Sequence, residues 1–472
     1  MVFSEPIFLF LYLPIALLAI ALTLFVRRGH SATLLALSLT FYFWSSGALT
    51  LLLIGCVAVN WALARTIRMS GRRAWLLAGV LINLLPLAYY KYAHFMASQI
   101  DAIAGSTTAL RFEGVILPIG ISFFAFQGLS YLVDVARGDA EPEPSLIRFG
   151  AYLTFFPQLI AGPIVRYRDA IESYRAPKRD LALAAYGVRR FAHGLLKKIV
   201  IADTVASVAD ASFALQPDAL TTAGAWIGAV AYSIQIYFDF SGYSDMAIGL
   251  AALCGIHLRE NFERPYASAS ITEFWRRWHI SLSSWFRDYL YIPLGGNRGS
   301  EARTYANLFL VFLATGLWHG AAWSFVAWGL YQGAFLILER RFIDRDRLAS
   351  AGLLSRFAYT LPVTVFGWVL FRAETLAAGV DHWKTMLIPT AAPLSLPAPI
   401  AQTLTPATSL VLAAACLCFV MPRHVLAATL LAGPAPSSLL GGVRTLYVAL
   451  ILVLTGLLAL SSDFSPFLYF RF

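Results

Sequence analysis

Residues 7–26 read IFLFLYLPIALLAIALTLFV and contain no charged side chain. About 20 consecutive apolar residues are enough for a helix to cross the ~30 Å hydrocarbon core of a bilayer. The stretch therefore predicts a membrane-spanning helix. Residues 1–6 show no cleavable signal, so this helix is expected to stay in the protein.

The whole composition is typical of a membrane protein. Of 472 residues, 59% are apolar and 13% are charged, against about 45–50% and about 25% in soluble domains. The net charge of +10 would favour nucleic acid as the partner of a soluble protein. Here the basic residues lie between apolar segments, where they set topology or contact anionic lipid, and no nucleic-acid partner is expected. The four cysteines lie in apolar stretches and no histidine pair has helical zinc-site spacing, so we expect no bound metal or cofactor.

Hydropathy predicts an all-α, polytopic integral membrane protein with ten to twelve transmembrane helices plus re-entrant or interfacial helices. Residues 155–165 (FFPQLIAGPIV) contain two prolines and are predicted to be re-entrant rather than spanning. No internal repeat or soluble domain is visible, so residues 1–472 are predicted to form a single transmembrane domain. The candidate segments are residues 7–26, 32–64 (two short spans), 74–90, 115–135, 149–165, 195–213, 222–237, 246–254, 306–338, 357–371, 408–420 and 446–460.

Residues 232–245 (YSIQIYFDFSGYSD) form the first segment with polar side chains inside an apolar run. Such side chains are costly in lipid and mark sites or aqueous paths. One interpretation is a helix end at the interface, with Asp245 as an N-cap. The other is a helix broken near Ser241 that lines a cavity with Gln235, Tyr237 and Asp239.

The second such segment, residues 271–298, reads ITEFWRRWHISLSSWFRDYLYIPLGGNR. On one helix, Trp275, Trp278, Leu282 and Trp285 would share a face and most basic side chains would lie elsewhere, as in an interfacial amphipathic helix. That interpretation leaves His279, which lies beside the tryptophan stripe, without an explanation. Residues 295–299 predict a turn without the Lys-Ser/Thr pair of a phosphate-binding loop.

The third segment is GLWHGAAW, residues 316–323. About ten apolar residues precede His319, which is therefore expected deep in the membrane. Gly316 and Gly320 would let another backbone or a ligand approach closely. An ionisable side chain in this setting predicts a functional site.

The blocks 271–298 and 316–323 together resemble the signature of the membrane-bound O-acyltransferase (MBOAT) family. The similarity is greatest to the bacterial branch of alginate O-acetyltransferase membrane subunits (AlgI-like). The core motifs fall within about residues 115–340, and the least similar parts are residues 106–114 and those after 387. Further family-like segments are residues 2–10 (VFSEPIFLF), 117–138 (LPIGISFFAFQGLSYLVDVARG), 155–167 (FFPQLIAGPIVRY), 237–245, 260–266 (ENFERPY), 366–374 (FGWVLFRAE) and 465–472 (SPFLYFRF).

The resemblance implies helices around a central tunnel, with His319 as the essential catalytic histidine and His279 as the second. It also implies that acetyl passes from a cytoplasmic donor, acetyl-CoA or an acyl carrier, to a periplasmic acetyltransferase partner of the AlgJ/AlgX type. The final acceptor would be an exported polysaccharide such as alginate, and the protein would lie among the lipids of the bacterial inner membrane.

Acyl transfer needs a base, oxyanion donors and a place for the acyl donor. We hypothesise that neutral His319 acts as the general base. The oxyanion donor could be Trp318, Trp278, Asn297 or a backbone amide, while Trp285 and Ser283 are candidates for lining the substrate path. Four arginines suit either the phosphates of a CoA donor or lipid phosphates: Arg276, Arg277, Arg287 and Arg298.

Two other functions fit the same residues. One is D-alanyl transfer to a cell-wall polymer from a carrier protein. The other is a channel or secondary transporter with His319 in a proton or solute path.

Overall fold

The computed structural model describes residues 2–26, 28–420, 438–461 and 467–468. Helices provide all the regular secondary structure of these residues. The prediction of an all-α membrane protein is therefore confirmed. Of the family-like segment 465–472, all but two residues lie outside the described part.

The helices are numbered in chain order. In the first half they are α1 (Leu13–Val26), α2 (His30–Ser46), α3 (Thr50–Ser70), α4 (Arg73–Leu87), α5 (Ala93–Ala104), α6 (Ile121–Arg137), α7 (Leu146–Leu153), α8 (Phe156–Leu159), α9 (Tyr167–Arg175), α10 (Leu181–Leu195), α11 (Asp203–Phe213) and α12 (Thr222–Leu253). In the second half they are α13 (Ile271–Arg277), α14 (Ile280–Phe286), α15 (Glu301–His319), α16 (Trp323–Phe342), α17 (Arg345–Ala351), α18 (Leu353–Ser355), α19 (Leu361–Arg372), α20 (Leu376–Leu387), α21 (Ala398–Thr403), α22 (Pro406–Val420) and α23 (Ser438–Ser461). Five π-helical segments (Phe8–Tyr12, Ala88–Tyr92, Leu196–Ala202, Arg287–Tyr291, Arg356–Thr360) and three 3₁₀ segments (Gly47–Leu49, Thr108–Phe112, Pro265–Ala267) adjoin them.

Among the residues that the structure describes, five helical stretches are long and apolar enough to cross a membrane. Other predicted crossings, such as those in α12, α15 and α16, carry more polar and aromatic residues. The total of ten to twelve crossings stays a prediction. The five stretches are Phe8–Val26, His30–Ser70, Arg73–Ala104, Leu353–Arg372 and Gly441–Ser461.

The chain divides into two compact units. One consists of Met1–His193, Tyr243–Glu260 and Val448–Pro466, and the other of Gly194–Gly242, Asn261–Tyr447 and Phe467–Phe472. Each unit has buried apolar clusters of its own. The prediction of one domain over residues 1–472 stays a prediction.

The predicted break in residues 232–245 is wrong, because α12 runs through it as one helix of 32 residues. A side chain at Gly242 would meet the carbonyl oxygen of Gly194 at 2.9 Å. Glycine here lets two helices approach instead of interrupting one. The interpretation of Asp245 as an N-cap is also wrong, because Asp245 lies within α12. Its carboxylate accepts a hydrogen bond from Nε of Arg190 (2.9 Å).

The placement of Trp275, Trp278, Leu282 and Trp285 on one helix is wrong as well. Helix α13 ends at Arg277, Trp278 is extended, and His279 has a left-handed backbone (φ 43°) before α14 begins. The tryptophans therefore do not form one continuous stripe. Residues 295–299 do form the expected turn, and residues 155–165 contain only the four-residue helix α8, so they form no spanning helix.

The loop between α6 and α7 contains a buried carboxylate, Glu143. It accepts hydrogen bonds from the N–H of Ser145 (3.0 Å), the hydroxyl of Tyr167 (2.8 Å) and Arg148 (2.7 Å). Burial acts to raise the pKa of Glu143, but these donors outweigh it and hold the pKa below its ordinary value of 4.5.

We expect Glu143→Gln to destabilise the protein near neutral pH by about 1–3 kcal/mol, because hydrogen bonds to a carboxylate are lost. The carboxylate stabilises the folded chain above its ordinary pKa, and this contribution disappears as the pH falls through the lowered one. Thermal unfolding in detergent should therefore show a lower midpoint for the variant at pH 7 and a smaller difference at about pH 4. Glu141→Gln, at an exposed ion pair with Arg68, is the control and should change little. An equal deficit at both pH values would contradict the argument.

Candidate active site

His319 is the last residue of α15, and it is buried within a cage of aromatic rings. Its ring centroid lies 4.8 Å from Trp318, 5.0 Å from Trp328 on α16 and 4.9 Å from Phe371 on α19. Gly320, which follows, is extended and ends the helix. Three helices thus fix the position of one imidazole.

Close packing of α15 against α16 creates this cage. A side chain at Gly316 would collide with the carbonyl oxygen of Phe325, and one at Gly329 would collide with that of Phe312. The predicted role of Gly316 in close approach is confirmed. The backbones can therefore come near enough for Trp328 to stand perpendicular to the ring of His319.

His279 is fully buried in the turn between α13 and α14. Its Nδ1 lies 3.1 Å from Oδ1 of Asn261. The backbone N–H of Ser281 also donates to this oxygen (3.2 Å), as does the Ser281 hydroxyl (2.8 Å). A backbone N–H can only donate, so the atom facing it must be the amide oxygen and Nδ1 of His279 must carry the proton.

The other nitrogen of His279 is thereby left as an acceptor. Residues 278–279 lie outside the five stretches long enough to cross a membrane. Burial lowers the pKa of His279 to about 3, so the ring is neutral at pH 7. Its Nε2 has no hydrogen-bond partner among the described residues. A buried, unprotonated nitrogen of this kind can accept a proton or a hydrogen bond from a substrate.

Trp318 connects the two histidines. Its ring centroid is 6.0 Å from His279 and 4.8 Å from His319. The structure thus brings His279 together with Trp318 and His319, which lie far from it in the sequence. Trp278 joins a neighbouring aromatic cluster with Phe262 (5.0 Å) and Trp368 (4.7 Å).

A cavity of about 530 Å³ adjoins His319. His319 does not line it, but the next residue, Gly320, and the ring neighbour Phe371 do. The remaining lining residues are Ala321, Ala322, Ser324, Phe325, Arg372, Ala373, Glu374 and Leu468. A tunnel reaching both faces of the membrane stays a prediction.

The predicted polar residues of α12 have different surroundings. Asp239 pairs with the buried Lys198 (2.7 Å) and accepts from the backbone N–H of Leu468 (3.0 Å). Gln235 is buried, and its Oε1 has no partner in the part of the chain that the structure describes. Tyr237 lies against Trp278, at a ring distance of 6.2 Å. Asp239 is thus tied into an ion pair.

The other candidates lie along residues 276–298. Ser283 donates to the carbonyl oxygen of Trp278 (3.3 Å), and Trp285 packs against Phe286 and Tyr289. Asn297 is exposed in the turn 295–299.

Two of the four arginines are occupied by acidic neighbours. Arg277 pairs with Glu273 (2.6 Å) and Arg287 with Asp288 (2.6 Å). Arg276 and Arg298 are exposed.

Sequence reasoning missed Asn261, Trp328 and Phe371, which hold or surround the two histidines. Asn261 and Phe371 belong to the family-like segments ENFERPY and FGWVLFRAE. Those segments were a signal that the residues matter. Their partners are 18 and 52 positions away in the chain, so their roles could not be assigned from local patterns.

A helical membrane fold with two buried histidines beside one tryptophan has the groups required for proton transfer in a water-poor site. The sequence model of the membrane-bound O-acyltransferase family matches residues 139–371. The chain is 46% identical over 386 residues to a probable alginate O-acetylase AlgI of Pseudomonas syringae pv. tomato, covering 80% of this chain and 73% of the relative.

Two more distant relatives have related names. A peptidoglycan O-acetyltransferase of Helicobacter pylori is 34% identical over 441 residues, covering 82% of this chain and 80% of that protein. A teichoic acid D-alanyltransferase of Streptococcus thermophilus is 30% identical over 376 residues, covering 73% and 86%. The chain belongs to the membrane-bound O-acyltransferase family, and it is an acyltransferase.

We predict that His279 has the opposite tautomer to two other buried histidines. In His30 and His382, Nε2 faces a backbone carbonyl oxygen at 3.1 Å and must carry the proton. Nitrogen-15 NMR of histidine-labelled protein in lipid should show a protonated Nδ1 for His279 and a protonated Nε2 for His30 and His382, and Asn261→Ala should remove the preference at His279. A protonated Nε2 in wild-type His279 would contradict the assignment.

Proposed function

We propose that this protein is an O-acetyltransferase of the bacterial inner membrane. It takes acetyl from acetyl-CoA on the cytoplasmic side and passes it outward for O-acetylation of an exported polysaccharide such as alginate. The observation that carries the proposal is that the rings of two buried histidines both lie against Trp318 and that a cavity adjoins one of them, His319. The higher identity to an alginate O-acetylase (46%) than to a D-alanyltransferase (30%) supports acetyl as the acyl group.

In the proposed reaction, His319 acts as the general base. A neutral imidazole accepts the proton of a hydroxyl group while the hydroxyl oxygen attacks the thioester carbon. The imidazolium then protonates the leaving sulfur. His279 can accept a hydrogen bond at Nε2, and it orients the hydroxyl group that receives the acyl group or serves a second half-reaction.

The acyl donor and the partners belong to the same proposal. The exposed Arg276 and Arg298 are suited to the phosphates of acetyl-CoA through charge-assisted hydrogen bonds. Arg277 and Arg287 could contribute only by exchanging their carboxylate partners. A periplasmic acetyltransferase of the AlgJ/AlgX type would receive the acetyl group.

The second candidate is D-alanyl transfer from a carrier protein, which the relationship to a teichoic acid D-alanyltransferase favours. Offering the purified protein acetyl-CoA and a D-alanyl-loaded carrier protein in parallel separates the two. Acyl consumption from the carrier alone would replace the acetyl proposal. A channel or transporter function is disfavoured by membership in an acyltransferase family.

We expect His319→Ala to lower the release of CoA from radiolabelled acetyl-CoA by about 10²–10⁴-fold, because a positioned general base contributes about that much. The assay uses the full chain in lipid nanodiscs with its acceptor. His257→Ala is the matched control, since His257 is exposed and has no proposed role. Wild-type CoA release in His319→Ala would refute the proposed site.

A further inference from the structure

Two polar side chains on α16 are buried and have no hydrogen-bond partner among the residues described. They are the hydroxyl of Ser324 and the indole N–H of Trp328, which are 1% and 0% exposed. Residues four apart lie on the same face of a helix. Because an unpaired buried donor is destabilising, such groups require an explanation.

Both residues lie beside the candidate active site. Trp328 contacts the ring of His319 at 5.0 Å and that of Phe371 at 5.0 Å. Ser324 and Phe371 both line the 530 Å³ cavity. Ser324 therefore lies in the cavity wall, and Trp328 lies against His319, the proposed base.

The N-terminal end of α16 adds a positive electrostatic potential at the cavity wall. Ala322, its N-cap, also lines the cavity and provides no side-chain cap. The helix has 20 residues, and its N-terminal end carries a partial positive charge that favours an anion.

Two neighbouring tryptophans donate their indole N–H groups to other partners. The indole N–H of Trp368 donates to the hydroxyl of Tyr266 (2.9 Å), and that of Trp275 donates to Oε1 of Gln332 (3.2 Å). Asn297, an oxyanion candidate from the sequence, is exposed in a turn. Ser324, in the cavity wall, and Trp328, against His319, are both buried and have unused donors.

We infer that Ser324 and Trp328 form the oxyanion site of the acyl transfer, an inference that rests on the proposed function. The acceptor oxygen bonds to the thioester carbon, its proton moves to His319, and the carbonyl electron pair moves onto oxygen. That oxygen accepts hydrogen bonds from the Ser324 hydroxyl and the Trp328 N–H. When the carbonyl re-forms, the carbon–sulfur bond breaks, and the thiolate takes the proton from His319 to leave as CoA.

The test compares Ser324→Ala and Trp328→Phe, each of which removes one donor and keeps most of the side-chain shape. Each should lower kcat for CoA release from acetyl-CoA by about 10²–10³-fold, the usual loss for one oxyanion donor, with KM within about twofold of wild type. Ser324→Thr, which keeps the hydroxyl, should recover most of the rate.

Stability separates this role from a structural one. An unpaired buried hydroxyl destabilises the folded protein, because its desolvation is not compensated by a hydrogen bond. Ser324→Ala should therefore have an unchanged or higher thermal midpoint despite its lower kcat. Ser268→Ala is the matched control, because the Ser268 hydroxyl is also buried without a partner in the described chain and does not line the cavity. Trp226→Phe is the control for the indole, since Trp226 donates to the carbonyl oxygen of Met386 (3.0 Å).

Two results would overturn the inference. One is wild-type kcat in Ser324→Ala and Trp328→Phe while His319→Ala is inactive, as expected if water merely satisfies the two donors. The other is a loss of kcat matched by a loss of thermal stability and by the same loss in the control variants. If His319→Ala is itself active, the proposed function fails instead, so the two failures are distinguishable.

Discussion

The close contact between α15 and α16 determines the geometry of the candidate site. It depends on glycine at residues 316 and 329, where any side chain would collide with the backbone of the opposite helix. With the backbones this near, Trp328 reaches the imidazole at the end of α15 and Ser324 reaches the cavity. Wider spacing would leave room for water around His319, which would compete with a substrate for the same hydrogen bonds. Small residues in these helices therefore serve chemistry as well as packing.

Buried polar groups in this protein fall into two sets. The first is internally satisfied: Lys198 pairs with Asp239, and Asn60 and Asn83 exchange amide hydrogen bonds (3.0 and 2.8 Å). These groups stabilise helix packing, because an unpaired charge or amide would be costly in a water-poor interior. The second set is unsatisfied by the described residues and includes Gln235 and Ser268 as well as Nε2 of His279 and the donors on α16. The last two lie around Trp318 and His319, where a substrate would supply the missing partners.

Hydropathy was sufficient to predict the class of fold, because composition and apolar run length depend on lipid rather than on tertiary detail. The turn 295–299 was predictable from its glycines, but hydropathy was not sufficient elsewhere. It failed where a polar or glycine residue has a tertiary partner: Gly242 looked like a break but accommodates Gly194, and Asp245 looked like a cap but pairs with Arg190. The two histidines could be singled out because they are polar residues in an apolar setting. Their supports could not, because Asn261, Trp328 and Phe371 reach them only through the folded arrangement.

The two histidines are held by different physical means. His319 is fixed by aromatic packing among three helices. His279 is one of two non-glycine residues of the described chain with a positive φ, a backbone state that costs about 1–3 kcal/mol and persists only when its surroundings enforce it. Hydrogen bonds enforce it here, since the backbone carbonyl oxygen of Asn261 accepts from the backbone N–H of Ile280 (2.9 Å). Asn261 thus fixes the turn through its backbone carbonyl and the tautomer of His279 through its side-chain amide, while the ring of Trp318 lies between His279 and His319. A change in α16 therefore acts on His319 directly, and a change at Asn261 acts first on His279.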